Sequence, residues 1–183
     1  MLKLLKKVLQ IGESTVKYPF APAEIAPGAR GKPVYNYSFC IACGACASVC
    51  PSNAITIAND LEKGNRKWEI FYGRCIYCGR CEEVCPTEAI TLSTDFELAA
   101  MKREDLIISA EFHLAKCQIC GHFFSPAREM SWILSSLKDT GLSEKKLTAK
   151  RTILNTCPDC RRALAVENHQ NALASTKEEV MAK

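Results

Sequence analysis

An eighteen-residue stretch occurs twice, and this repeat restricts the possible folds more than any other feature of the chain. Residues 40–57 and 75–92 align without gaps at an offset of 35 residues, and they are CIACGACASVCPSNAITI and CIYCGRCEEVCPTEAITL. A period of this length is typical of a supersecondary unit that cannot bury its apolar face alone. We therefore expect the two copies to face each other in one small domain with pseudo-twofold symmetry.

Each copy is expected to consist of a short helical turn and a strand. Pro51 and Pro86 end the helical turns because proline cannot continue a helix, and the β-branched residues that follow favour strands. The predicted helical turns are residues 47–50 and 82–85, and the predicted strands are 55–57 and 90–92, with 35–39 and 68–71 as hairpin partners. The polar residues 59–67, which include Gly64 and Asn65, predict a loop between the copies.

The cysteine spacing in each copy, C-x2-C-x2-C-x3-C-P, is typical of bacterial proteins that bind cubane 4Fe-4S clusters. The first three cysteines wrap a loop around a cluster, and Gly44 and Gly79 permit its tight turn. The fourth cysteine follows on the helical turn, points away from that loop and reaches the other cluster. The predicted ligands are Cys40, Cys43, Cys46 and Cys85 for cluster 1, and Cys75, Cys78, Cys81 and Cys50 for cluster 2. Zinc would instead favour separated C-x2-C pairs.

Charged residues predict that the two clusters differ in reduction potential. Arg74 and Arg80 flank the second cluster loop, whereas the first loop is apolar and neutral. Because nearby positive charge raises the potential of a cluster, this pattern predicts that cluster 2 is the easier to reduce. The alternative is that both arginines are solvated or bind carboxylates of a partner.

The four remaining cysteines form two C-x2-C pairs that are similar to rubredoxin or zinc-ribbon knuckles. They are Cys117, Cys120, Cys157 and Cys160. Four thiolates in tetrahedral geometry suit one Zn²⁺ or one Fe ion, and the choice between these metals stays open. A third iron–sulfur cluster is a poorer fit because the pairs are far apart, and His122 is an alternative ligand. Between the pairs, an apolar face predicts a helix that begins near Ser125 and Pro126, ends at Gly141 and packs on the half of the chain that carries the repeat.

Composition excludes several classes of function. The twelve cysteines would require export if they formed disulfides, but the N-terminal lysines interrupt any signal peptide, and no apolar run approaches the roughly 18 residues of a membrane span. The net charge of +4 argues against nucleic acid as a partner, although a zinc-ribbon nucleic-acid binder is the alternative from another class. Because metals account for all twelve cysteines and no phosphate loop or nucleophile motif is present, we expect no catalysis by the chain on its own.

The two ends of the chain carry elements that a ferredoxin does not need. Residues 2–11 form an amphipathic pattern with interleaved lysines, and residues 18–33 hold four prolines, so we expect a helix and an extended arm that dock on a larger assembly. The alternatives are a helix that packs on its own domain or that lies on a membrane surface. The expected fold is α+β, divided into a docking arm (1–33), a two-cluster ferredoxin-like domain with duplicated ββ-helix units (34–100), a rubredoxin-like or zinc-ribbon-like four-cysteine extension (101–170) and a flexible tail (171–183).

These motifs together resemble one known family. Two CIxCGxCxxVCP units, a leading LLKKVL…YPF…RGKP segment and two later CxxC pairs look like the ferredoxin-type subunit of formate hydrogenlyase and hydrogenase-4 complexes, itself similar to the two-cluster subunit of respiratory complex I. The resemblance implies a peripheral subunit on the cytoplasmic face of the inner membrane. It would relay electrons between a formate dehydrogenase and a NiFe hydrogenase, in contact with other iron–sulfur and membrane-arm subunits. A subunit of a complex I-like oxidoreductase and a soluble ferredoxin shuttle are the alternatives.

Overall fold

Twelve helices and strands are found in the computed structural model, which describes residues 2–12 and 15–181, with side chains as far as residue 170. The helices are α1 (Leu2–Ile11), α2 (Ala45–Ser48), α3 (Arg80–Glu83), α4 (Ala127–Asp139), α5 (Glu144–Leu154) and α6 (Pro158–Met181). The strands are β1 (Pro33–Tyr35), β2 (Ile55–Asp60), β3 (Asn65–Phe71), β4 (Ile90–Leu92), β5 (Ile107–Lys116) and β6 (Phe123–Pro126). The structure is therefore mixed helix and sheet, as predicted.

Two antiparallel sheets organise these elements. β1 pairs with β4, and a four-stranded sheet has the order β2-β3-β5-β6. In the larger sheet Trp68 lies opposite Ile57 on one side and Ala110 on the other. Because β5 follows the repeat in sequence, the C-terminal half is joined to the repeat by a ladder of backbone hydrogen bonds. One sheet thus crosses the predicted boundary between residues 34–100 and 101–170.

Several predicted boundaries are wrong. The short helices begin two residues earlier than expected, directly after Gly44 and Gly79, which take left-handed conformations with φ of 86° and 83°. Strand β1 ends at Tyr35 rather than starting there, because the Asn36 side chain accepts a hydrogen bond from the Ser38 N–H at 2.9 Å and closes a turn. The predicted loop at 59–67 is shorter, since β2 and β3 extend into it and leave only residues 61–64 as a turn.

The buried core lies between the sheet and the cysteine-rich loops. Trp68, which is 1% exposed, stacks on Tyr35 with ring centroids 4.0 Å apart. Ile55 and Ile90, which occupy equivalent positions in the two copies, are buried in the same cluster. Each large apolar side chain that is buried stabilises the domain by about 1.5–3 kcal/mol. Because cysteines of both copies pack against this core, the core also fixes their positions.

The N-terminal elements lie largely outside this core. α1 is the predicted helix, but none of its side chains is buried, and Leu9 is 77% exposed. The alternative in which this helix packs on its own domain is therefore wrong. The end of the arm is held by backbone hydrogen bonds, from the Gly31 N–H to Ser93 O at 2.8 Å and from the Lys32 N–H to Asp95 O.

The C-terminal half contains the predicted helix as α4, with bounds close to those expected, and also β5 and α5, which were not predicted. α6 continues to Met181, and the last two residues of the predicted flexible tail lie outside the described residues. Over residues 2–12 and 15–181, no helix combines the length and the apolar character that crossing a bilayer requires.

Candidate metal centres

Two pockets of about 370 and 350 Å³ are each lined by four cysteines. Each pocket takes three cysteines from one copy of the repeat and the fourth from the other copy. Site 1 is lined by Cys40, Cys43, Cys46 and Cys85, and site 2 by Cys75, Cys78, Cys81 and Cys50. These are the two groups that the spacing predicts, while their role as cluster ligands remains a prediction.

The two loops that carry the first three cysteines have the same local geometry. Ala42 and Tyr77 both take positive φ, of 59° and 54°, which turns each loop back on itself. Their N–H groups donate to the Sγ atoms of Cys40 and Cys75, each at 3.4 Å. Donors aimed at sulfur stabilise the thiolate form, which is the form that binds metal.

The fourth cysteines, Cys50 and Cys85, also have matching surroundings. Ala54 and Ala89 donate their N–H groups to these thiols, each at 3.2 Å. Burial acts to raise the pKa of both thiols, but the hydrogen bonds from backbone N–H groups and from a neighbouring hydroxyl outweigh it, so both pKa values are lowered. Four cysteines in an apolar pocket with N–H groups aimed at sulfur fit an iron–sulfur cluster.

Aromatic donors distinguish site 1 from site 2. The indole Nε1 of Trp68 donates to Cys46 Sγ at 3.3 Å. The Tyr35 hydroxyl is buried in the wall of site 1 beside Cys40, and it has no hydrogen-bond partner within the described part of the chain. Burial and the Cys40 thiol raise the pKa of Tyr35, so its hydroxyl stays protonated. A sulfur atom placed in site 1 would give this hydroxyl the acceptor that it lacks.

The distribution of arginines differs from the sequence prediction. Arg66 donates to Ala42 O at 2.7 Å, and Arg128, from α4, donates to Tyr37 O at 2.7 Å and to Cys40 O at 3.2 Å. Both guanidinium groups therefore lie beside site 1, whose loop has no charge of its own.

Site 2 also has basic neighbours, which come from the loop and from the arm. Arg80 pairs with Glu83 at 2.6 Å, Arg74 is exposed, and Arg30 donates to Cys78 O at 2.8 Å. The expectation that positive charge gathers around the second cluster alone is wrong, because the sequence does not show which distant side chains reach each loop.

The four remaining cysteines form a third group, site 3, in which all the sulfur atoms lie within 4.8 Å of one another: Cys117, Cys120, Cys157 and Cys160. The Sγ atoms of Cys120 and Cys157 are 3.7 Å apart. Four sulfurs bound tetrahedrally to one ion at about 2.3 Å are roughly 3.8 Å from each other. The spacing therefore fits a single metal ion, whereas a cluster with its irons at separate corners needs a wider one.

Local hydrogen bonds hold site 3 together. The Cys157 N–H donates to Cys117 Sγ at 3.3 Å, and the Gln118 amide donates to Thr156 Oγ1 at 3.0 Å, which ties the first knuckle to the second. Burial acts to raise the pKa of Cys117, but bonds from backbone N–H groups lower it to about 6. His122 lies outside the group of four, and its carbonyl accepts the Cys117 N–H at 2.8 Å.

Comparison with known proteins agrees with this geometry. Residues 39–89 match the family described as a 4Fe-4S dicluster domain. Over 162 residues the chain is 42% identical to formate hydrogenlyase subunit 6 of Escherichia coli (strain K12), covering 88% of this chain and 89% of that protein. The chain belongs to the family of formate hydrogenlyase subunit 6. The predicted resemblance is confirmed.

A solved structure is more distantly similar to the chain. It is the membrane-bound sulfane sulfur reductase, an archaeal respiratory membrane complex, one chain of which matches with 28% identity and a TM-score of 0.42. The match covers 58% of each chain, so the present chain spans little more than half the length of that relative.

Proposed function

We propose that this chain is an electron-transfer subunit of a formate hydrogenlyase-type complex and that it holds two 4Fe-4S clusters, one in site 1 and one in site 2. The observation that carries the proposal is the pair of four-cysteine pockets, each built from both copies of the repeat. Membership of the formate hydrogenlyase subunit 6 family supports the assignment to such a complex. When bound, each cluster supplies a one-electron redox centre.

The protein's own contribution is to hold and shield these centres. The two copies form duplicated units, and the exchange of Cys50 and Cys85 between pockets ties them together. Apolar side chains and backbone N–H groups surround the sulfurs, and such surroundings control solvent access and reduction potential. The relay that we propose runs between a formate dehydrogenase and a NiFe hydrogenase, and the chain performs no catalysis alone.

Site 3 is proposed to bind one Zn²⁺ or one Fe ion in a rubredoxin-like arrangement of four cysteines. Mutual sulfur distances within 4.8 Å support a single ion. Its ligands come from the turn that follows β5 and from the residues at the start of α6, two segments about 40 residues apart in sequence. Closing this loop with a metal fixes the start of α6 to the end of β5, within the C-terminal extension (101–170).

The N-terminal arm (1–33) is proposed to dock on neighbouring subunits, including those of the membrane arm, at the cytoplasmic face of the inner membrane. Leu2, Leu5 and Leu9 support this role, because α1 presents these apolar side chains to solvent. Residues 171–183, which include the end of α6 as far as Met181, are proposed to be a tail that moves relative to the rest of the chain.

Metal analysis together with a cysteine variant tests the proposal. We expect the full chain, purified without oxygen, to contain about eight iron atoms with matching sulfide, and one further iron or one zinc. In Cys50→Ala, site 2 should lose its cluster first, whereas site 1 keeps all four cysteines; Cys85→Ala is the matched reverse case. A colourless protein that holds only zinc would contradict the proposal.

Copurification tests the assignment to a complex. The chain should be recovered with hydrogenase and other iron–sulfur subunits. A stable monomer that exchanges electrons freely with soluble partners would instead indicate a ferredoxin shuttle.

A further inference from the structure

The walls of sites 1 and 2 differ at two positions that the repeat makes equivalent. At the offset of 35 residues, Tyr35 corresponds to Ile70, and Trp68 corresponds to Pro33. Tyr35 and Trp68 line site 1, whereas Ile70 and Pro33 line site 2. Site 1 therefore has two polar donors at the places where site 2 has two apolar side chains.

Both aromatic donors face sulfur in site 1. The Trp68 indole donates to Cys46 Sγ at 3.3 Å, and the buried Tyr35 hydroxyl lies beside Cys40 with no hydrogen-bond partner among the described residues. Two tyrosines lie close to site 2. Tyr77 lines the pocket, and within the described residues only its backbone N–H, not its hydroxyl, bonds to sulfur. The hydroxyl of the other, Tyr72, donates to the backbone carbonyl of Pro33 at 2.7 Å. The sulfurs of site 2 thus gain no hydrogen bond from that side chain.

From this difference we propose that site 1 holds the cluster of higher reduction potential, so that an electron entering the chain resides there rather than at site 2. This inference rests on the proposed function, in which both pockets hold 4Fe-4S clusters. Reduction adds negative charge to a cluster, and hydrogen bonds to its sulfurs stabilise the reduced form more than the oxidised form. The order is opposite to the one that the charges in the two loops predict.

Charge does not reverse this order. Arg66 and Arg128 lie beside site 1, each bonded to a carbonyl of its cysteine loop or of the turn before it. Near site 2, Arg30 bonds to Cys78 O, while Arg80 is paired with Glu83. At site 1 the Glu129 carboxylate lies near Arg66 and Cys43 and offsets part of the positive charge, as Glu83 does for Arg80 at site 2. Two arginines and one carboxylate thus lie close to each site, so the hydrogen bonds to sulfur decide the order of the two potentials.

A redox titration of the full chain, reconstituted with iron and sulfide and followed by EPR, tests the inference. The unmodified chain should show two one-electron steps. Tyr35→Phe removes one oxygen atom, and Trp68→Phe removes the indole donor. Each variant should lower the reduction potential of the higher step by about 59 mV, which for one electron is a tenfold change in the reduction equilibrium. The lower step should stay in place. Tyr72→Phe is the matched control, because it removes a buried hydroxyl near site 2 that bonds to a carbonyl, and it should move neither step.

The results separate this inference from the proposed function. If Tyr35→Phe or Trp68→Phe shifts the lower step, or shifts both steps equally, site 1 is not the site of higher potential. Unmoved steps in both variants also overturn the inference. Iron is measured in the same samples. If a sample contains about eight iron atoms but the variant shifts the lower step, the result refutes the order of the two potentials and leaves the proposed function standing. A content that allows only one cluster refutes the proposed function, and the potential order with it.

Discussion

Replacing Arg128 with glutamine should open the region around site 1 and speed the loss of its cluster. Arg128 lies in the first turn of α4, but its side chain contacts the segment that leads into the first copy of the repeat. One of its nitrogens donates to the carbonyls of Tyr37 and Cys40 at 2.7 and 3.2 Å. Its guanidinium also lies 4.2 Å from the centroid of the Tyr37 ring, which in turn stacks on Phe112. The side chain thus connects α4 and β5 to the turn that leads into Cys40.

The size of the effect follows from these contacts. A hydrogen bond from a charged donor contributes about 1.5–3 kcal/mol, and the contact with the ring adds about 0.5–1 kcal/mol when partly exposed. Arg128 is half-buried and its second bond is long, so we expect a loss of about 2 kcal/mol rather than the full sum. Since 1.4 kcal/mol corresponds to a factor of ten, local opening becomes roughly thirtyfold more frequent.

Loss of the visible absorbance in the presence of an iron chelator measures this opening. Because the chelator reaches the cluster only after local opening, Arg128→Gln should lose the cluster of site 1 roughly thirtyfold faster than the unmodified chain. Arg128→Lys should fall between them, because lysine keeps the charge but not the planar fork or the stacking. Arg162→Gln is the control, since the ion pair that this exposed arginine forms among the described side chains is with Asp159 on α6. Equal bleaching rates for Arg128→Gln and the unmodified chain would refute the reasoning.

Two further predictions concern a loop and the N-terminal helix. Gly79→Ala should destabilise the protein by about 1–2 kcal/mol, seen as a lower thermal midpoint, because φ is 83° and an added Cβ would lie 3.2 Å from Leu92. Gly121→Ala is the control, because Gly121 has φ 74° and no atom lies within 4 Å of the added Cβ, so its loss of stability comes from backbone strain alone. An equal loss of stability in both variants would show that contact with Leu92 contributes nothing. Leu5→Glu should change stability by less than about 0.5 kcal/mol, since this side chain is 61% exposed, yet reduce copurification with partner subunits. Full recovery of the complex would contradict docking through α1.

The cysteines of each pocket could be predicted from the sequence because the number of residues between them determines which pocket each cysteine lines. Three cysteines separated by two residues fix a loop, and a following short helix directs Cys50 or Cys85 to the opposite pocket. The apolar periodicity of α4, with Ser125 and Pro126 as its expected N-cap and first position, likewise gave bounds close to the observed Ala127–Asp139, whose N-cap is Pro126. In each case the signal lies within a short, continuous segment.

The surroundings of the pockets could not be predicted in this way. Residues 107–116 alternate, with Ala110, Phe112 and Leu114 buried, so the strand itself left a signal in the sequence. The pairing of this strand, β5, with β3 is a contact between distant segments of the chain, and no local sequence pattern specifies it. Arg128 reaches site 1 only because β5 and β6 carry α4 there, and the contrast of Tyr35 with Ile70 has meaning only once both are known to line pockets.

The exchange of cysteines between the two pockets also sets when each pocket can be completed during synthesis. Site 2 requires the chain as far as Cys81 and site 1 requires it as far as Cys85, so the two pockets become complete four residues apart. Without the exchange they would be complete at Cys50 and Cys85, 35 residues apart. At about 5–20 residues per second, the interval falls from several seconds to less than about one second. The two pockets are therefore completed almost together, and neither can be completed from one copy of the repeat alone.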